Sequence, residues 1–177
     1  FGDDDSLLWD GAADGDNFKA IVARIIKRYF VQPNYFKIDG RPVFSIFSVD
    51  QLLEGFGGSV EETRKALDYF REEAMKAGFP GLHIQWNQGG GSVLSEEAAA
   101  RFAESVNALG FDSVAMYNMG GFNEDYLAYG AESLKIREQR DSILSVPFFP
   151  CVSIGWDHTT RFAVKVIKDV VHYHNTP

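Results

Sequence analysis

Apolar residues recur at a helical spacing in several stretches of the chain. Residues 17 to 30 carry the clearest stripe, formed by Phe18, Ile21, Val22, Ile25, Ile26, Tyr29 and Phe30. Ser59 with Glu62 predicts the capped start of a second helix, which ends at Gly78. Comparable signals predict helices over residues 95 to 110 and 125 to about 142. Each of these segments needs an apolar surface on which to pack.

Short apolar runs separate the predicted helices. They cover Val43 to Phe47, Leu82 to Trp86, Val114 to Tyr117 and Phe148 to Ile154, and a turn is predicted at Asp39-Gly40. Strands and helices that alternate in this way predict neighbouring parallel strands with right-handed crossovers. A (β/α)8 TIM barrel needs eight strands and about 250 residues. The pattern therefore predicts an α/β fold in a single domain over residues 1 to 177, either a partial barrel or a small open sheet.

Composition and charge narrow the possible partners. The 177 residues are 45% hydrophobic, which indicates a folded domain, and the net charge of −8 argues against nucleic acid and anionic lipid as partners. The one cysteine, Cys151, excludes an internal disulfide and is expected to be an inert thiol in a strand. We see no membrane-length apolar segment and no secretory leader, and the compartment stays open.

Aromatic side chains stand beside amides or a carboxylate where three of the strands are predicted to end. These candidate binding residues are Trp86, Asn87, Tyr117, Asn118, Trp156, Asp157 and Arg161. Ligands of parallel α/β folds bind at the carboxyl ends of the strands. Flat apolar rings with nearby amides and acids suit a sugar, whose C–H faces and hydroxyls need both. The alternative is that these aromatics only pack at the rim, and Phe47-Ser48 after the first strand is uninformative.

The sequence gives little indication of a phosphate-binding site, a metal site or a pair of catalytic acids. The loop Gly89-Gly90-Gly91 lacks the spacing of phosphate-binding loops, and His158, His172 and His174 do not form a zinc pattern. We therefore expect no cofactor and no metal. Asp157 is the one acid well placed after a strand, since Glu124 and Asp125 are better placed to cap a helix. Glycoside hydrolysis needs a pair of carboxyl groups, so this chain alone is not expected to hydrolyse glycosidic bonds.

Three segments resemble one known family. Residues 34 to 44, residues 150 to 161 with Gly155-Trp156-Asp157, and Trp9-Asp10-Gly11 are similar to segments of WbsX-type proteins, which are relatives of the endo-α-mannosidases of glycoside hydrolase family 99. The resemblance implies a (β/α)8 barrel that acts on or binds α-linked glycans, with Trp156, Asp157 and Arg161 lining the cleft. His158 and Thr160 depart from the residues usual in the family, and its acidic Asn-Glu-Trp segment is absent.

The resemblance therefore implies an interior piece of a larger barrel, with the remainder of the parent barrel as its partner. The functional alternatives are part of a glycoside hydrolase or related glycan-processing enzyme, a polysaccharide-biosynthesis protein, and a glycan-binding module without chemistry. A fourth is an unrelated small α/β protein whose strand-end aromatics only pack.

Overall fold

One five-stranded sheet organises the computed structural model, which describes residues 13–118 and 125–153. Its strands are β1 (Lys37–Ile38), β2 (Arg41–Ile46), β3 (His83–Gln88), β4 (Ser113–Met116) and β5 (Phe148–Phe149), in that spatial order. The pairs β2–β3, β3–β4 and β4–β5 are parallel, and β1 forms an antiparallel hairpin with β2. The predicted parallel neighbours are confirmed, and the sheet curls into a half-barrel.

Helices connect the strands and flank the sheet. They are α1 (Gly15–Ile25), α2 (Val49–Gly55), α3 (Val60–Lys76), α4 (Glu96–Leu109) and α5 (Tyr126–Ile143), with a π-helical turn at Ile26–Phe30. The predicted caps of α3 and α4 are confirmed, because Ser59 Oγ accepts from the Glu62 amide at 3.2 Å and Ser95 Oγ accepts from the Ala98 amide at 3.3 Å. Gly110 ends α4 in the left-handed conformation, with φ of 70°.

The π-helical turn changes one prediction about the first helix. Tyr29 was expected on the buried stripe, but its side chain is 53% exposed, whereas Phe30 is fully buried. A π turn takes more residues than an α turn, so the side chains after it are rotated from the 3.6-residue period. The Phe30 ring then packs against Phe70 and Phe79, with centroids 5.8 and 5.9 Å away.

Two other elements differ from what the sequence predicted. The fourth strand was expected to run to Ile154, but β5 ends at Phe149 and residues 150–153 are not extended into the sheet. Pro150 follows directly and has no N–H to donate to a neighbouring strand. Cys151 therefore lies outside the strand and is only partly buried. The helix α2 was not predicted at all, because it is too short to show a helical period.

The two faces of the sheet carry different residues. Even-numbered residues of β2 to β4 face the helices, as shown by the ring of Phe44, whose centroid lies 5.1 Å from that of Phe70 on α3. Odd-numbered residues lie on the concave face, where Ser45 Oγ donates to Gln85 Oε1 at 2.9 Å. The hydrophobic core therefore lies between the sheet and the helices, and the concave face is largely polar.

Charged side chains connect different elements at the amino ends of the strands. Asp112 Oδ2 accepts from the amide of Ile84 at 2.9 Å and from Arg71 Nη2 at 3.1 Å, and Arg41 lies 3.8 Å from Oδ1. Arg71 also donates to the carbonyl of Gly110, which ties α3 to the end of α4. This end of the sheet is thus fixed by contacts that connect different elements.

Candidate functional site

The carboxyl ends of the strands form a rim that presents two exposed aromatic rings. Phe47 follows β2 and Tyr117 follows β4, and their side chains are 58% and 56% exposed. Their ring centroids lie 5.8 Å apart with an interplanar angle of 77°, an edge-to-face pair. Both residues are odd-numbered and so lie on the concave side of the sheet. The pair spans the end of β3, the strand between their own.

The glycine loop, Gly89-Gly90-Gly91, follows β3 and lies next to Phe47 and Asn118. A Cβ atom on Gly89 would lie 3.8 Å from the Phe47 ring, and one on Gly90 would collide with the side-chain amide of Asn118. The amide N–H of Tyr117 donates to the Gln88 carbonyl at 2.8 Å, which fixes the end of β4 to the start of the loop. The absence of side chains on this loop lets Asn118 lie directly on its backbone.

A hydrogen-bonded chain of side chains runs from the middle of the concave face towards the amino ends. Gln85 accepts from Ser45 and donates to Ser113 Oγ at 3.2 Å, and Ser113 contacts His83 Nε2 at 2.7 Å. Burial lowers the pKa of His83, with an opposing effect from Asp112. His83 Nδ1 is buried and has no hydrogen-bond partner within the described part of the chain. These hydrogen bonds hold the polar side chains in fixed positions on the concave face of the half-barrel.

The structure separates two of the predicted site residues from each other. Asn87 is odd-numbered and pairs in register with Ala115, which places it on the concave face near the rim. Trp86 is even-numbered, and its ring lies 5.0 Å from that of Phe102 and 5.5 Å from that of Phe111, on the helix side. β3 continues to Gln88, so the prediction that the strand ends at Trp86 was wrong.

The remaining predicted residues divide between the rim and the undescribed parts of the chain. Tyr117 and Asn118 lie together at the rim, as shown above. Trp156, Asp157 and Arg161 lie outside the described residues, as do Glu124 and the segment Trp9-Asp10-Gly11. Sequence reasoning missed Phe47, although an aromatic residue directly after an apolar strand is the same signal that it used for Tyr117.

Asp125 has a structural contact that explains its position. Its Oδ1 accepts from the amides of Leu127 and Ala128 at 2.9 and 3.0 Å, so the carboxylate caps α5 as the sequence predicted. Within residues 13–118 and 125–153, no group of three or more His, Cys, Asp or Glu side chains gathers as metal ligands do. None of the helices in these ranges combines the length and apolar character needed to span a bilayer.

Comparison with known proteins gives one match. A family model described as "Glycosyltransferase WbsX" matches residues 2–176, nearly the whole chain, and this family is related to domains of the glycoside hydrolase family 99 type. Neither the curated proteins nor the solved structures contain a match.

Proposed function

The chain belongs to the glycosyltransferase WbsX family, and on that basis we propose that the carboxyl rim of its sheet binds an α-linked glycan of the mannose type. Membership suggests a carbohydrate-active or polysaccharide-biosynthesis protein with a glycan substrate. The observation that carries the proposal is the exposed pair of Phe47 and Tyr117 beside Asn118. This combination supports binding at the rim rather than elsewhere on the molecule.

The chemistry of the rim suits a pyranose ring. The faces of aromatic rings pack on the C–H faces of a sugar and remove apolar surface from water. The amides of Asn87 and Asn118 each offer a donor and an acceptor, and a sugar hydroxyl needs both. Three residues that follow β5 in sequence, Trp156, Asp157 and Arg161, are proposed to extend the cleft. Asp157 would accept from hydroxyls and pair with Arg161, which keeps the carboxylate ionised.

The rest of a parent barrel is the proposed partner of the half-barrel. In the described residues, β1 pairs with β2 at Arg41 and Pro42, and the Val43 amide donates to the Phe36 carbonyl, so the outer edge of β2 from Phe44 onward has no strand beside it. An apolar groove of about 840 Å³ lies along this edge, lined by Phe18, Phe44 and Phe70 among others. An unpaired strand edge beside an apolar groove suits a further parallel strand. The intact mass of the parent polypeptide tests this, because a mass equal to that of the 177 residues would contradict it.

Catalysis is proposed to need acids from beyond this chain. Asp125 Oδ1 accepts two backbone amides as a helix cap, which supports a structural role for it over that of a second acid beside Asp157. The family description favours glycosyl transfer as a second candidate reaction beside hydrolysis. In either case the rim would bind and orient the glycan. Hydrolysis of an α-mannan by the purified chain, abolished by Asp157→Asn, would contradict this division of roles.

Binding at the rim can be tested with two tyrosines of nearly equal exposure. Tyr117→Ala is expected to weaken binding of a mannose-type oligosaccharide by about 1–2 kcal/mol in calorimetry, because a large apolar contact is lost. Tyr29, which is 53% exposed on the π-helical turn, is the matched control, and Tyr29→Ala should leave the affinity unchanged. Equal affinities for both variants and the parent would rule out the rim as the glycan site.

A further inference from the structure

Arg140 on α5 is a fully buried cation with no acidic partner among the residues that the structure describes. Its side chain is 0% exposed, and within residues 13–118 and 125–153 no carboxylate lies at ion-pair distance from it. Burial lowers the pKa of Arg140, yet a guanidinium stays protonated in proteins. Burying a charge without a counter-charge is unfavourable, so other contacts have to stabilise this one.

Among the described residues, Arg140 has neutral contacts, and two of them lie at the ends of one loop. Nη2 donates to the Ser92 carbonyl at 3.3 Å, and Nε donates to Gln88 Oε1 at a long 3.5 Å. The Phe102 ring lies 5.5 Å from the guanidinium carbon, a cation–π contact. Gln88 and Ser92 are the residues on either side of the glycine loop. One planar guanidinium therefore bridges both ends of that loop.

A neighbouring residue on α5 strengthens this connection. Gln139 Oε1 accepts from the Leu94 amide and from Arg140 Nη1, at 2.8 and 2.7 Å, and Gln139 Nε2 donates to the Leu94 carbonyl at 2.8 Å. The stretch from Gln88 to Leu94 is thus attached to α5 by two adjacent side chains. Loops without side chains lose much conformational entropy on ordering, and these bonds oppose that loss.

We infer that Arg140 is a positioning residue, which holds the glycine loop from the helix side so that Asn118 and Phe47 are correctly placed at the rim. The inference rests on the proposed function of the rim. On its other side the loop contacts Asn118 through Gly90 and Phe47 through Gly89. The contact at Gly90 leaves no space for even a methyl group, so a displaced loop displaces the Asn118 amide.

The test compares two arginines of the same helix. Arg140→Met keeps the length and apolar volume of the side chain but removes every donor. Arg137 is 56% exposed and pairs with Asp141 at 3.5 Å, so Arg137→Met is the matched control. We expect Arg140→Met to speed hydrogen exchange of the amides of residues 89–92 about tenfold or more and to shift the side-chain amide resonances of Asn118. Arg137→Met should change neither.

Binding of a mannose-type oligosaccharide gives the second readout. Arg140→Met is expected to weaken it about tenfold at a temperature where the variant is fully folded. Arg140→Lys should recover only part of the affinity, because an ammonium group cannot donate to both ends of the loop as the planar fork does. A variant that loses thermal stability while the exchange of residues 89–92 and the Asn118 resonances stay as in the parent would show that Arg140 only supports the fold.

A second substitution tests the same bridge at its other end. If Arg140→Met does not fold, Gln88→Leu removes one acceptor at the edge of the loop and should still raise the exchange rates of residues 89–92. Unchanged rates in that variant would contradict the bridge. The exchange rates and Asn118 resonances need no ligand. A parent protein that binds no glycan would therefore refute the proposed function while leaving the positioning role to be decided by these two readouts.

Discussion

The two faces of the sheet place aromatic residues in opposite environments. On the helix face, the ring of Trp86 packs against Phe102 and Phe111 in the core. On the concave side, the ring of Tyr117 meets that of Phe47 edge to face and is more than half exposed. Side chains alternate along a strand, so a shift of one residue decides whether an aromatic ring stabilises the fold or is available to a ligand.

The substitution with the largest expected effect on stability is at Trp86, on the helix face of the sheet. Trp86→Ala is expected to lower the free energy of unfolding by about 3 kcal/mol, because it leaves a cavity beside Phe102. Urea denaturation measures this, and glycan affinity should persist under conditions where the variant is folded. Unchanged stability together with lost binding would mean that the ring serves the cleft instead of the core.

The next largest effect on stability is expected at Ser113, among the hydrogen-bonded side chains of the concave face. Ser113→Ala is expected to lower the free energy of unfolding by about 2 kcal/mol, because it removes the partner of both His83 Nε2 and Gln85 Nε2. Ser142→Ala on the exposed part of α5 is a suitable control, since that hydroxyl is exposed and donates to the carbonyl of Gln139. If the two variants are equally stable, the hydrogen-bonded chain of the concave face does not contribute to stability.

A pair of glycines separates effects on binding from effects on stability. In Gly90→Ala the new methyl group displaces the end of the Asn118 side chain, which can rotate, so stability should change little while glycan affinity falls by about 1 kcal/mol. Gly130 lies in α5, and no atom of the described residues lies within 4 Å of where its Cβ would be, so Gly130→Ala should instead stabilise the protein by about 0.5–1 kcal/mol. Calorimetry and urea denaturation of both variants check the opposite signs.

The smallest effect is a dependence of stability on pH. Burial lowers the pKa of His83 in the fold, Asp112 opposes this, and Arg41 and Arg71 reinforce it. The unfolded chain, with a pKa near 6.5 at this residue, takes up the proton first as the pH falls. Titration of His83 therefore leaves the free energy of unfolding unchanged above pH 6.5. As the pH falls from 6.5 towards the lower pKa of the folded state, the free energy of unfolding decreases, because the unfolded chain binds the proton more readily.

Urea midpoints measured at several pH values test this sign. The parent should lose stability relative to His83→Gln as the pH falls below 6.5, because glutamine does not titrate in that range. Parallel pH profiles of the two proteins would contradict a lowered pKa at His83.

Local signals in the sequence predicted much of the fold. The caps at Ser59 and Ser95 and the end of α4 at Gly110 depend on neighbouring residues, and all three were predicted correctly. The face on which Trp86 lies depends on the register of β3 with its neighbours, where Trp86 pairs with Val114, and such pairing between distant segments is not marked in the sequence around Trp86. The π-helical turn has no comparable sequence signal, so the exposure of Tyr29 was not foreseen.

The rim was predicted only in part, because its contacts join distant segments. Tyr117 and Asn118 were expected at a strand end, but the partner ring of Phe47 lies seventy residues earlier in the chain. The burial of Arg140 is equally hidden, since an arginine in a helix with many charged residues is expected to be exposed. Only the packing of α5 against α4 and the glycine loop encloses it.

The π-helical turn at Ile26–Phe30 has a consequence for how related chains should be aligned. A π turn holds one more residue than the α turn that it replaces, so it has the structural character of a single-residue insertion. A homologue that lacks this residue would have a continuous α-helix and could still place an aromatic residue against the ring of Phe70. An alignment gap within residues 26–30 is therefore compatible with an unchanged core, and the aromatic that fills the position of Phe30 identifies the correct register.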